Sequence, residues 1–165
     1  MRRIASVLAI ALVCLATAGI ATGTHSEGTG GPNDLVAGTG QFVVGVDVFL
    51  HVNALSGPLG EDPRGHLVFR AEPPAVPFPF DLVGEITCMR VIGNAATVSF
   101  RITRSKAFLP PGLTGGLFSI VDNGEGGAPD QFEGFPLPAP LTTCPPPFGG
   151  RPIERGNFVI HDALP

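Results

Sequence analysis

The chain reads as an all-β protein, an antiparallel barrel or sandwich of about seven to eight strands carrying one disulfide. Three observations predict this. Glycine and proline, 23 and 18 of 165 residues, punctuate the chain at short intervals. The runs between them alternate apolar and polar side chains, the period of a half-buried strand, and none carries a helical period. Two cysteines, Cys88 and Cys144, remain once an export leader is removed, and an even pair in an exported domain is read as one disulfide rather than two free thiols.

Taken in order, the first strand is expected over residues 41–53. Phe42, Val44, Val46, Val48, Leu50 and Val52 share one face. Asp47, His51 and Asn53 take the other, joined by Val43 and Phe49, and Gly45 marks a bend or bulge. Residues 56–64 are rich in Gly, Pro and Asp and read as a turn region. A second strand over 66–72 places Leu67, Phe69 and Ala71 on one face. The prolines of 73–79 stop it, because proline donates nothing to a ladder, and leave a stiff extended connector.

The clearest local structure spans 82–104. Gly93-Asn94 separates two β-rich runs and suits a two-residue hairpin with glycine at the first turn position. Ala96, Val98, Phe100 and Ile102 face one way, and Thr97, Ser99, Arg101 and Thr103 the other. Two-residue closure pairs Ile92 with Ala95, Met89 with Val98 and Cys88 with Ser99. Paired residues share a sheet face. Glu85, Thr87, Met89 and Val91 are therefore expected beside Phe100, with Cys88 on the opposite face, so that the disulfide pins the proline-dense segment around Cys144 onto the outside of the sheet. Further strands are expected over 116–122, 131–135 and 156–162, with Phe158 and Ile160 together on the last, while 136–147 is irregular.

The N-terminus predicts location. Arg2 and Arg3 precede an uncharged apolar run from residue 4 to 20, followed by small residues at cleavage spacing, the order of a secretory signal peptide over 1–23. A permanent anchor needs about 20 apolar residues, and the Ala, Thr and Gly near the end of this run favour cleavage. Cys14 follows Val13 rather than a small residue, which argues against a lipoprotein site. The arginine pair resembles a twin-arginine start, but Ile4-Ala5-Ser6 departs from the usual continuation. Residues 24–33 form a polar, glycine-rich lead-in, and 34–165 suit a single β domain. The protein is expected to be secreted or held in the cell envelope, with the mature domain not embedded in a membrane.

Composition narrows function. The formal net charge is −4, and removing Arg2 and Arg3 makes it more acidic, which argues against nucleic acid or an anionic membrane as partner. Trp and Tyr are absent, which counts against sugar-binding and promiscuous protein-binding surfaces, while 12 Phe are enough to dominate a core. The preference for arginine over lysine and the abundance of Gly, Ala and Pro suggest a high-GC bacterial source.

No catalytic motif emerges. No serine sits in a Gly-x-Ser-x-Gly turn, and a paired Cys88 is no nucleophile. His51, His66 and His161 sit on three expected strands without ligand spacing, each on its presumed solvent side. Asp122, Asn123, Glu125 and Asp130 are weak calcium candidates, since extracellular calcium sites gather six to eight oxygens, often from loops. Their spacing departs from an EF-hand, and the same side chains close Asx-turns, so the loop is expected to be structural, its side chains diverging. Glu85 is the odd carboxylate, placed beside Phe100 by the hairpin register. No cofactor and no metal site are expected.

Residues 84–96, Gly-Glu-Ile-Thr-Cys-Met-Arg-Val-Ile-Gly-Asn-Ala-Ala, resemble a recurrent stretch of uncharacterised secreted bacterial all-β domains. Residues 121–127, with Asp130 and Phe132, are similar to a second such stretch, and 156–161, Gly-Asn-Phe-Val-Ile-His, to their closing strand. The proline-rich inserts at 73–79 and 136–147 look less typical. The resemblance implies an extracellular β domain, often appended to surface proteins, and carries no established activity or transferable site residue. The expected function is a non-enzymatic binding or structural module; the alternative is a small barrel that binds or isomerises a small apolar ligand.

Overall fold

Alternating sequence becomes strand throughout the computed structural model, which describes residues 33–43, 47–71, 80–106 and 109–163. The strands are β1 (Asp34–Val43), β2 (Asp47–Ser56), β3 (Arg64–Ala71), β4 (Phe80–Ile92), β5 (Ala95–Ser105), β6 (Gly115–Val121), β7 (Gln131–Leu137), β8 (Arg151–Pro152) and β9 (Arg155–His161). They form one antiparallel sheet in the order β8-β7-β6-β5-β4-β3-β2-β1-β9, curled into a half-barrel. Neighbours in sequence are neighbours in the sheet until the end, where β9 returns to pair with β1. The leader, most of the lead-in, Val44, Gly45 and Val46, and the connector at 73–79 lie outside the described residues.

Three expectations are corrected. The long first strand at 41–53 is in fact the end of β1 and most of β2, two antiparallel strands with Val43 opposite Asp47. Alternation alone cannot tell one continuous strand from two paired strands when the residues between them are also apolar. Residues 34–40, given no element from sequence, form the rest of β1. Among the described residues the strands number nine, because of β1 and the two-residue β8.

The β4–β5 hairpin closes as its sequence requires. Ile92 faces Ala95, Met89 faces Val98 and Cys88 faces Ser99. Gly93 has a φ of 60°, the left-handed conformation that a two-residue turn demands at its first position. The register then shifts between Ile86 and Cys88, leaving Thr87 as a bulge. A one-residue slip moves every following side chain to the other face. Ile86, not Thr87, therefore stands opposite Phe100, and Glu85 faces Arg101 on the exposed side.

The concave face holds the core. Val36, Phe42, Leu50, Val52, Leu67, Ile86, Met89, Val98, Phe100, Phe118, Ile120, Phe132 and Phe158 are buried together. Phe42, Phe69, Phe100, Phe118 and Phe132 form one aromatic cluster with ring centroids 4.0 to 6.3 Å apart. Glycines make room for these rings. A Cβ on Gly84 or Gly116, from the strands flanking β5, would stand 2.6 Å from the Phe100 ring.

On the convex face, the segment after β7 folds back over β4, β5 and β6. Cys144 bonds Cys88 there, with Cα atoms 5.6 Å apart and an S–S distance of 2.03 Å. Ser99 Oγ donates to the Gly116 carbonyl and accepts from Leu141 N–H; Ser119 Oγ donates to the Ala96 carbonyl and accepts from Phe148 N–H. Each hydroxyl thus joins sheet to strap, and Thr97, Ser99 and Ser119 are buried on what would otherwise be the wet side.

Candidate functional site

Two ends and one seam of the half-barrel concentrate the side chains able to act. At the end where β1, β3, β5 and β7 finish, the core opens into a cavity of about 300 Å³. Phe42, Phe69, Phe100, Phe132, Ile102 and Leu113 are among its lining. Every described side chain that lines it is apolar. Such a cavity can hold a small apolar body by shape and dispersion. Among the described residues its lining offers no group to abstract or deliver a proton.

The seam is made by carboxylates. β9 pairs with β1 along one edge. On its other edge, Phe158 N–H donates to Asp130 Oδ2 at 2.8 Å and Ile160 N–H donates to Asp122 Oδ2 at 3.1 Å. The remaining oxygens are used as well. Asp130 Oδ1 accepts from Asn123 N–H at 2.9 Å, and Asp122 Oδ1 accepts from Gly124 N–H at 2.8 Å, an Asx-turn. Asn123 Nδ2 donates to the Pro129 carbonyl. Glu125 stands exposed at the loop tip. The calcium candidates therefore divide: Asp122 and Asp130 are committed to backbone amides of the loop and β9, and Glu125 is away from both. An edge strand leaves alternate N–H groups unpaired, and here two carboxylates take the place of a neighbouring strand. Asp162 continues the seam, accepting from Gly93 N–H at 2.6 Å.

Asp34 closes the opposite end. It is 1% exposed and its Oδ1 accepts from Ala163 N–H at 2.9 Å, latching the C-terminal segment to the start of β1. Burial pushes its carboxyl above the ordinary value of 3.8; the Ala163 amide opposes this, and Asp162 and Glu61 add to it. The sign for stability follows from linkage. Below pH 3.8 both folded and unfolded chains hold the proton. As pH rises the unfolded chain releases it first, so the fold loses this contribution as pH climbs through the raised folded value. Asp34→Asn keeps the acceptor for Ala163 and cannot ionise. Urea unfolding across pH 4–7 should show wild type losing stability relative to this variant as pH rises. Parallel curves would refute the assignment.

The other sequence candidates do not converge. His51 and His66 lie on adjacent strands with ring centroids 6.2 Å apart, both exposed, and His161 lies exposed on β9. Among the described residues no group of three or more His, Cys, Asp or Glu is placed to hold a metal ion. Sequence reasoning did not find Asp34, nor Asp122 and Asp130 as seam residues. Their partners lie 129, 38 and 28 residues away, and no local pattern announces a side chain bonding so distant an amide. No family model, no curated protein and no solved structure matches the chain.

Proposed function

We propose that the chain is an exported, disulfide-stapled β module that works by binding or scaffolding outside the cytoplasm. One observation carries this reading: three aspartates and two serines hold strand ends, seam and strap together through backbone groups, while the interior is lined with phenylalanine. Asp34, Asp122 and Asp130 accept backbone amides at the end and seam, and Ser99 and Ser119 hold the strap. The apolar leader and the resemblance to secreted bacterial β domains agree with it. The disulfide is compatible with an oxidising compartment.

The test is expression of the full chain with its own leader in a bacterial host. The protein should appear in the exported fraction, shortened near residue 23 and without free thiols by mass under non-reducing conditions. Reduction should then lower stability by up to ~4 kcal/mol, the chain-entropy value for a loop of this size. An uncleaved cytoplasmic chain, or two free thiols in the exported form, would overturn the reading.

The apolar cavity favours a second reading, retention of a small apolar molecule at the open end of the half-barrel. Its lining suits binding without catalysis.

A further inference from the structure

We propose that the outer face of β9, β1, β2 and β3, which no other described segment covers, binds an anionic polysaccharide, with Arg155 and Arg70 pairing its carboxylates and Phe49 seating a sugar ring. The inference rests on the reading of the chain as an exported binding module and names that module's partner.

The strap covers only the β4–β6 side of the convex face. On the other side the register lines up a single row across four strands: Arg155 opposite Gln41, Gln41 opposite Phe49, Phe49 opposite Arg70. The next row carries Asn157, Thr39 and His51. Together these form a groove of about 530 Å³ whose lining includes Arg155, Gln41, Phe49, His51 and Arg70 and no carboxylate. Phe49 is 48% exposed, a large apolar ring left on the solvent side between cationic and amide groups. An exposed aromatic face flanked by planar polar side chains is suited to the C–H face of a sugar, with hydroxyls meeting the polar neighbours.

Glu61, Asp62 and Asp162 sit at or beyond the opposite strand ends, about 20 Å along β1 from this row. Among the described residues, acids border the groove without lining it: Asp81 lies 3.9 Å from Arg70 Nε, outside hydrogen-bond range, Asp47 starts β2, and Glu154 and Glu125 stand beside Arg155. Arg155 makes no ion pair among the described residues. Arg155 can therefore meet a carboxylate in the fork geometry that arginine prefers, and Arg70 can do so by exchanging its loose contact with Asp81. Their Cα atoms are three strand spacings of ~4.8 Å apart, about 14 Å. A pyranose is about one strand spacing long, so a linear polyuronate crossing the strands repeats its carboxylate in step with the sheet. This geometry favours a chain of acidic sugars over a compact anion, which would reach only one arginine.

The experiment is native affinity electrophoresis of the full-length, disulfide-bonded chain through gels containing polygalacturonate, with dextran and polyphosphate as comparison polymers. Polygalacturonate should retard the protein, increasingly so at low salt, and dextran should not. R70A/R155A should weaken retardation at least tenfold and F49A severalfold, whereas R151A, whose arginine pairs with Glu133 elsewhere, should behave as wild type. All four positions are exposed, and circular dichroism checks that the fold is kept. Absence of retardation, or undiminished retardation of R70A/R155A, overturns the site. Equal retardation by polyphosphate with no effect of F49A overturns the sugar assignment and leaves an unspecific polyanion surface. Because binding is measured on purified protein, its failure is separate from a failure of export.

Discussion

Replacing Phe118 by alanine is expected to cost about 3–5 kcal/mol, the range for emptying a buried phenylalanine site. Phe118 is 1% exposed and touches three other rings of the core. Its centroid lies 5.7 Å from Phe132, 6.1 Å from Phe100 and 6.2 Å from Phe69. Beyond area, edge and offset ring contacts add about 0.5–1.5 kcal/mol per pair. The ring also stands beside the apolar cavity, so truncation enlarges an existing void rather than opening one that neighbours can fill. Relaxation is limited because the backbone around it is a continuous ladder from β5 to β7. Phe118→Leu keeps much of the volume and should cost well under half as much. Urea denaturation of the oxidised protein measures both. A loss below about 1 kcal/mol for the alanine variant would show that the cluster collapses freely and is not a packed interior.

Asp130→Ala should cost about as much, about 3–5 kcal/mol, although it removes no hydrophobic surface. Asp130 is the clasp of the seam. Its side chain accepts from Phe158 and Asn123, and its own carbonyl accepts from Ile153 N–H at 2.8 Å. Hydrogen bonds to a charged acceptor contribute about 1.5–3 kcal/mol each, and a buried donor left without a partner adds its desolvation cost. Phe158, fully buried, cannot turn its amide to water without withdrawing its ring from beside Gly38 and Gly40. Asp130→Asn separates the contributions, because the amide keeps one acceptor oxygen and presents an NH₂ to the second donor. It should recover part, not all, of the loss. Hydrogen exchange at Phe158 and Ile160 is the local readout: the alanine variant should expose these amides before the rest of the sheet. Unchanged protection there would mean that β9 is held by β1 alone.

Much of the architecture was legible from residues near each other in the chain. Gly93-Asn94 announced the β4–β5 turn, and the alternation of residues 96–102 identified the core face of β5, because a strand's period and a two-residue turn are local properties. The pairing of Cys88 with Ser99 placed the disulfide on the convex side, and the strap is found there. The bulge at Thr87 was not legible. It sets Ile86 opposite Phe100, whose ring lies over Gly84 on β4 and Gly116 on β6, a fit between three strands that no one stretch of sequence carries.

By itself, then, the sequence determined an antiparallel β protein, the inward face of β5 and the single cystine, since these follow from period, turn chemistry and residue count. The tertiary structure alone decided how the sheet ends meet, what the carboxylates of the acidic loop hold, and which arginines share a groove. Those outcomes join residues tens of positions apart, and a side chain's partner across such a gap depends on the curvature of the whole sheet, which no local stretch encodes.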